Sequence, residues 1–464
     1  MLSIKKISVR RGQWEDRVKP LTKLPPGLSR RTVELISDLK KEPLWMRNFR
    51  LKSLKLFQQQ SYPVWGPNLS SLNFDKISYY SSVNKKTELA WDKVSPLVRR
   101  TFARLGVPQR EAVILAGAGA QYDSELVYHS LCEELKKSGV IFLSMEQGLV
   151  QYPQLVKKYL GSVIPPSDNK LAALNSAVWS GGSFIYVPPR VRLVKPLHAY
   201  FRLNARNLGQ FERTLIIADR NSEVEYIEGC TAPYFNVDSL HAAVVEIIAE
   251  PGAKVRYTTV QNWSTSVYNL VTKRALVKRN AYVEWIDGNF GSKVTMKYPS
   301  VILSQPGARG KVVSLAVAGS GQLIDAGAKA IHLAPYTSSQ IISKSIAWGS
   351  GRTSYRGLVK VVPRAGHSQT KVRCDAMLLS ATAQSDTYPC LDVKDQQVQM
   401  EHEATVSRLS DEQLMYLQSR GWSESDAAAL VLNSFIAPVR QALPAEFAIE
   451  LERLLNLEME GSVG

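Results

Sequence analysis

The chain has 464 residues, 45% of them hydrophobic, and only four cysteines (Cys132, Cys230, Cys374 and Cys390) with no Cys-x-x-Cys spacing. That length exceeds one ordinary globular domain and fits an extended core with flanking modules, held without a disulfide framework or structural metal. The formal net charge is +17, and residues 1–56 carry +10 of it as 15 Lys/Arg against 5 Asp/Glu. Without zinc-finger spacing or an RNA-recognition signature, this charge reads as a solvated basic surface, not a nucleic-acid site. No run approaches the ~18–20 apolar residues of a membrane span. The first 20 residues lack an apolar signal core, so the expectation is a soluble, intracellular chain in a thiol-reducing compartment.

Along the chain, residues 1 to about 175 read as helix-rich. "LSRRTVELISDLKKEP" offers Ser29 as N-cap and Pro43 after the stop. "PLWMRNFRLKSLKLFQQQ" sets Trp45, Phe49 and Leu56 on one helical face, with Leu54 and Phe57 near its edge. "DSELVYHSLCEELKKSG" reads as a helix ending at Gly139, with Cys132 as a small apolar filler. "QYPQLVKKYLGSVIP" and "NKLAALNSAVWSGG" add two short helices.

From about 183 to 400 the pattern changes to short segments rich in Val, Ile, Tyr and Thr. Examples are "RTLIIAD", "EVEYIEG", "KVRYTTVQNW", "AYVEWIDG" and "YRGLVKVVP", many separated by turns such as "DRNS", "EPGA", "KRNA" and "QPGARG". No helix-length periodic stretch interrupts them, which excludes a βαβ sheet and leaves a sandwich, a barrel or a β-solenoid. The length favours a β-helix, because a solenoid grows by stacking coils whereas open sheets split beyond ~10 strands. The last zone is helical again. Ser410 with Gln413 forms a capping-box pattern, Ser423 caps a second helix, and "LPAEFAIELERLLNLEME" makes a third. These helices are expected to cover the solenoid's open end and its edge strand.

The chemistry-bearing residues are few. No phosphate-binding loop, nucleophile elbow or HExxH motif is present. Cys230 ends a strand in "YIEGCTAPYF", and Cys374 in "KVRCDAML" lies among Lys371 and Arg373, cations that lower a thiol's pKa. Each reads equally as a reactive thiol or a small core residue, and Cys390 reads as structural. Arg202, Asn204, Gln261, Trp263 and Lys273 are strand residues that alone suggest surface or ladder positions. In "MEHEATVS" (Met400 to Ser407) strand alternation sends Glu401 and Glu403 to one face and His402 to the other.

Several motifs in order, "YFRLNARNLGQFERTLIIAD", "YIEGCTAP", "LHAAVVE", "TTVQNW", "VTKRAL", "SYRGLVKV", "RCDAMLL" and "EHEATVSRLSDEQLMYLQSRG", resemble the SufB side of the SufB/SufD family of SUF iron–sulfur cluster assembly. The resemblance spans nearly the whole chain. It implies a right-handed parallel β-helix (181–403) between an N-terminal helical domain (1–180) and a C-terminal helical domain (404–464) on which the SufC ATPase docks. It implies a non-enzymatic scaffold in which Cys230 accepts sulfur and Arg202, Asn204, Gln261, Trp263 and Lys273 line a route through the β-helix. Cys374 with Glu403, and His402 as auxiliary, would hold the nascent iron–sulfur cluster at the SufD interface, with Glu401 a solvated bystander. The implied partners are SufC, SufD, a SufE- or SufU-type carrier fed by a cysteine desulfurase, and apo acceptor proteins, with no nucleic acid or membrane. Reduced FAD is an optional second cofactor of such complexes, and the implied setting is cytoplasm, or plastid stroma for an organelle-encoded member. A SufD-like structural role is the alternative, and a polysaccharide-lyase reading fails on the scarcity of paired carboxylates. The chain departs from many relatives in having no cysteine in "ISYYSSVNKKTELAWDKV", in a short turn "STSVYNL" before Lys273, and in its basic charge.

Overall fold

The computed structural model describes residues 18–84, 87–88, 91–104, 115–443 and 448. Val/Ile/Tyr/Thr segments form strands that stack into a parallel β-solenoid of about eight turns, with helices before and after it. Each coil gives one strand to each of two facing sheets. The first sheet runs, from its C-terminal edge, through Gln399–Arg408, Gln369–Leu378, Ser338–Ala347, Arg309–Ala318, Tyr282–Gly291, Lys254–Trp263, Glu223–Thr231, Leu197–Arg202, Gly117–Tyr122 and Glu125–Leu131. The second runs through Gln384–Val393, Arg352–Val361, Leu323–His332, Val294–Lys297 with Ser300–Leu303, Val267–Val277, Val244–Ala249, Arg213–Ala218, Ser183–Val187 and Ile141–Ser144. Neighbours are parallel except the N-terminal pairs Gly117–Tyr122 with Glu125–Leu131 and Ile141–Ser144 with Ser183–Val187.

The turn residues explain one corner. Asn221 and Asn280 adopt φ of 57° and 54°, and Gly252 and Gly307 adopt 75° and 74°, in the four turns that the sequence marks. These turns stack: the Asn221 amide donates to Pro251 O at 3.0 Å and the Gly252 amide to Arg279 O at 2.9 Å. Left-handed backbone suits Asn and Gly and few other residues.

Between the sheets lies the main core, including Ile216, Tyr226, Val255, Tyr257, Trp263, Trp285, Val312, Ile341 and Val372. The N-terminal helices cover the outer face of the second sheet. Met46 joins Met145, Leu149, Phe184, Leu215 and Ile248, while Leu54 and Phe57 join Leu174 and Tyr268. The buried face of helix Leu44–Gln59 is Met46, Arg50, Ser53, Leu54 and Phe57, rotated from the expected Trp45–Phe49–Leu56 face. Arg50 causes the rotation, because its guanidinium pairs with Glu42 at 2.6 Å and donates to Trp179 O, so a charged residue can be buried there.

Two expectations fail here. The helix expected over residues 123–139 is instead the strand Glu125–Leu131 followed by the short helix Glu133–Lys137. Val127 and Tyr128 pack in a hairpin against Gly117–Tyr122, and Asp123 at φ 55° makes its turn. Cys132 then sits exposed at the short helix's start and is no core filler. At the other end, helices Asp411–Ser419 and Glu424–Ala442 keep the expected Ser410 and Ser423 caps. They do not cover the open end. Leu432, Ile436 and Val439 lie on the outer face of the first sheet against Ile227, Val260, Ile286, Leu315 and Ile346, an apolar stripe that would otherwise face water. The last coil, Gln384–Val393 and Gln399–Arg408, stays largely exposed, and its strand runs past 403 to Arg408. The third C-terminal helix expected from residue 444 lies outside the described residues.

Candidate functional site: a polar lumen between two thiols

Parallel in-register stacking turns one inward position per coil into a continuous row along the solenoid axis. One such row reads Ala199, Glu228, Thr259, Asp287, Ser314, Ser343, Cys374 and Ala404. The adjacent inward row carries Phe201, Cys230, Gln261 and Asn289. Cys230 therefore opens a polar track on which Cys374 stands five strands further along, about 24 Å at ~4.8 Å per strand. The strand segments Tyr226–Glu228–Cys230, Tyr257–Thr259–Gln261–Trp263 and Trp285–Asp287–Asn289 show how it is built, with large rings and polar groups alternating on one inward face.

At the Cys230 end the polar groups satisfy one another. The Cys230 thiol donates to Glu228 Oε1 at 3.5 Å, and the Tyr257 hydroxyl donates to Glu228 Oε2. Gln261 Nε2 lies 4.0 Å from the sulfur. Gln261 Oε1 accepts from Asn269 Nδ2 at 2.8 Å and from Lys297 Nζ at 3.2 Å. His241 bridges Asn269 Oδ1 (2.9 Å) and Glu212 Oε2 (2.5 Å), and the Trp263 ring packs on it with centroids 4.6 Å apart. Asp287 Oδ1 accepts from Lys273 Nζ at 2.9 Å and Lys297 Nζ at 3.1 Å, and Lys273 also donates to Thr259 at 2.6 Å. The Lys273 ammonium lies 4.6 Å from the Tyr257 ring centroid.

Burial sets the protonation states. It pushes the Cys230 thiol well above its ordinary range; Glu228 and Glu212 add to this and Lys273 and Lys297 oppose it. Burial works against ionised Asp287, yet the two lysines overcome it and hold that carboxyl well below the usual carboxylate range. Burial brings Lys297 down to about 8 despite Asp287. For His241 the Glu212 carboxylate outweighs burial and keeps the ring above its ordinary value. Three cations, Lys273, Lys297 and His241, face three carboxylates, Glu212, Glu228 and Asp287. Pairing of opposite charges makes these buried groups tolerable where single buried charges are not, although Glu212 Oε1 and Asp287 Oδ2 are buried without a hydrogen-bond partner.

Of the residues singled out from sequence, Cys230, Gln261, Trp263 and Lys273 are brought together in this lumen. Arg202 and Asn204 stand apart, at the end of the neighbouring strand. Arg202 alternates with the inward Phe201 and Leu203 and donates to Thr231 Oγ1 at 3.3 Å, while the Asn204 amide donates to Asp123 at 2.7 Å. Cys230, read equally as a reactive thiol or a small core residue, is fully buried at the end of its strand. Glu212, Glu228, His241, Asn269, Thr259, Asp287 and Lys297 escaped sequence reading. Their signal was same-face alternation with Tyr226, Tyr257 and Trp285.

Cys374 is likewise inward and buried, and burial pushes its thiol up to about 12. The buried Tyr355 hydroxyl, short of full hydrogen-bonding geometry to any partner, tempers that rise. The flanking cations do not lower it, because alternation sends them outside, where Lys371 pairs with Glu401 at 2.6 Å and Arg373 with Asp375 at 3.0 Å. The same alternation splits the next strand as expected. Met400 and His402 are half-buried on the lumen side, whereas Glu401 and Glu403 are exposed. His402 pairs in register with Val372, one inward step from Cys374, and its Nε2 is buried without a hydrogen-bond partner. Glu403 pairs with Arg373 on the outer face. Cys390, read as structural, lies exposed on the last coil. Among the described residues no cluster of three or more His, Cys, Asp or Glu side chains could hold a metal, and no helix is long and apolar enough to cross a membrane.

The fold and site together define a class of parallel β-solenoid whose inward faces carry two buried thiols and, beside the first, a cluster of buried acidic and basic groups. The comparisons narrow that class. Residues 201–435 match the model of the SUF system FeS cluster assembly SufBD core domain, and residues 123–199 match the SufBD protein N-terminal region. Over 438 residues, 94% of each chain, the sequence is 53% identical to an iron–sulfur cluster assembly SufBD family protein of Staphylococcus aureus (strain MRSA252). A SufBD family protein of Staphylococcus haemolyticus (strain JCSC1435) is 52% identical over the same share. The chain belongs to the SufBD family of SUF iron–sulfur cluster assembly proteins.

Proposed function

We propose that this chain is the SufB-type scaffold of its SUF complex: Cys230 accepts sulfur, the lumen carries it, and Cys374 holds it for the nascent cluster. The supporting observation is the unbroken inward row from Glu228, beside Cys230, to Cys374. A persulfide or hydrosulfide anion needs shielding from water and free thiols together with positive charge. Lys273 and Lys297, both buried on Asp287, supply that charge midway along the lumen. Beyond them the row narrows to Ser314 and Ser343, whose hydroxyls are 3.2 Å apart. Hydroxyls can donate to a passing anion without trapping it as a full charge would.

At the far end Cys374 offers a thiolate to iron once a cation draws off its proton, and His402 offers a free imidazole nitrogen on the same face. Glu403 can reach such a cluster only around the open edge of the last coil, so His402 is the stronger co-ligand. The exposed edge of that coil, which pairs with no further strand among the described residues, suits a second β-solenoid of the SufD kind, which would complete the site. Met415, Tyr416 and Leu430 on the C-terminal helices, with Trp422 in the turn between them, are exposed apolar groups suited to docking SufC. The chain then acts as a scaffold, with ATP hydrolysis in the partner; a SufE- or SufU-type carrier would deliver the sulfur and apo proteins would receive the cluster.

The test is anaerobic reconstitution of the SUF complex with iron and a cysteine desulfurase, comparing wild type with Cys230→Ala and Cys374→Ala. The reading expects a visible-absorbing cluster only in wild type. Full cluster yield from both variants would instead support a SufD-like structural role.

A further inference from the structure

We propose that Glu228 is the catalytic base of the sulfur-accepting step, taking the proton of the Cys230 thiol. This rests on the reading of Cys230 as the acceptor and adds the group that makes it reactive. The two residues lie two apart on the strand Glu223–Thr231 and share its inward face, and the thiol donates directly to Glu228 Oε1 at 3.5 Å. The surroundings require such a partner. Full burial with carboxylates beside it leaves the thiol protonated at rest, so the nucleophile must be made by proton transfer within the lumen. Glu228 is suited to receive the proton, since burial and Glu212 raise its own proton affinity while Lys273 opposes them. The titratable and charged groups facing it are Tyr226 and Cys230 on its own strand, Tyr257 on the next, and Glu212, His241, Lys273 and Lys297 from the opposite side. Transfer from Cys230 to Glu228 moves a negative charge by one hydrogen bond and leaves three cations against three anions. No charge enters or leaves the low-dielectric lumen.

The chemistry balances without an oxidant. The donor is a hydropersulfide, R–S–SH. As Glu228 Oε1 takes the thiol proton, the Cys230 sulfur attacks the donor's terminal sulfur. The new S–S bond forms while the donor's S–S bond breaks, and R–S⁻ leaves with the electron pair. The proton held by Glu228 then passes to R–S⁻, giving R–SH and Cys230–S–SH and restoring the carboxylate.

The experiment uses the full-length chain with Glu228→Gln, which keeps the side-chain size and one acceptor oxygen. Two reagents are followed at the Cys230 peptide by mass spectrometry from pH 6 to 10: cysteine hydropersulfide, and methyl methanethiosulfonate as a small thiol probe. Hydrogen exchange in Glu223–Thr231 verifies that the strand remains folded. The expectation is a wild-type rate that depends on pH far less steeply than the variant's. The variant should be about 100-fold slower at pH 7 with both reagents and gain roughly tenfold per pH unit, so that the two converge at high pH. Equal rates and equal pH profiles with methyl methanethiosulfonate would overturn the role of Glu228, as would a deficit that is the same at every pH. Glu228-dependent reaction with the thiosulfonate but no persulfide on Cys230 would support the base and overturn the acceptor reading instead.

Discussion

Asp287→Asn is the perturbation that probes the lumen's charge balance most sharply. Asp287 Oδ1 is the shared acceptor of Lys273 and Lys297, and all three side chains are at most 1% exposed. The amide keeps the shape and removes the countercharge, leaving two ammonium groups facing each other. Breaking one side of a buried ion pair costs about 3–5 kcal/mol. An independent ceiling agrees: expelling the proton of one lysine at pH 7 from an ordinary pKa near 10.4 costs about 4–5 kcal/mol. Lys297, already brought down to about 8, is the lysine that yields. A lysine whose folded pKa lies below its unfolded value binds fewer protons folded than unfolded between the two, so stability rises with pH across that window. For wild type the window runs from about pH 8 to ~10.4. In the variant it starts lower, so the deficit is full below the variant's own lysine pKa, shrinks up to about pH 8, and is constant above it. Solenoids open locally, so the assay is native-state hydrogen exchange in Lys254–Trp263 and Tyr282–Gly291. Protection there should fall by roughly two to four orders of magnitude at pH 7, the equivalent of about 3–5 kcal/mol. Protection within threefold of wild type at pH 7, or a deficit that grows with pH up to pH 8, would refute the argument.

Other outcomes follow from the same geometry. His402→Ala should lower iron retained at the Cys374 end of the reconstituted complex at least several-fold, whereas Glu403→Ala should have the smaller effect; iron content per complex reads both, and the reverse order would place the ligand on the outer face. Glu401→Ala removes only an exposed partner of Lys371, so melting temperature and iron content should match wild type. Ser423→Ala removes the acceptor of the Asp426 amide at 3.1 Å and should destabilise helix Glu424–Ala442 by about 1 kcal/mol, read by exchange of its first-turn amides.

The architecture was legible because each strand announces itself. Val, Ile, Tyr and Thr runs bounded by Asn and Gly turns need no tertiary information, and an unbroken series of them points to a solenoid. The coil period was not legible. Pairing offsets range from 26 residues (Tyr268↔Val294) to 32 (Arg352↔Gln384), so no fixed repeat survives in the sequence. Stacked positions also rarely share a residue type: along the row Glu228, Thr259, Asp287, Ser314, Ser343 and Cys374 only Ser recurs. Lys273, Asp287 and Lys297 resemble surface residues one at a time, and only their common inward face reveals a shared network. Local propensity misled at Glu125–Leu131, where "ELVYHSL" pairs as a strand because the hairpin partner Gly117–Tyr122 is available. Alternation alone separated His402 from Glu401 and Glu403. Which face met Cys374 required the register of Cys374 with Ala404.

The central claim is that sulfur taken up at Cys230 reaches Cys374 along the inward row. The direct measurement loads Cys230 with isotopically labelled persulfide in the assembled complex and follows label at Cys374. It is made in a Cys390→Ala background, since exposed Cys390 lies in the same tryptic stretch as Cys374. Ser314→Leu with Ser343→Leu, which fills the row between the two thiols, is the comparison. The account predicts label on both peptides in the unblocked chain, and on the Cys230 peptide alone in the filled one. Label reaching Cys374 through the filled row, or in a Cys230→Ala chain, would contradict it.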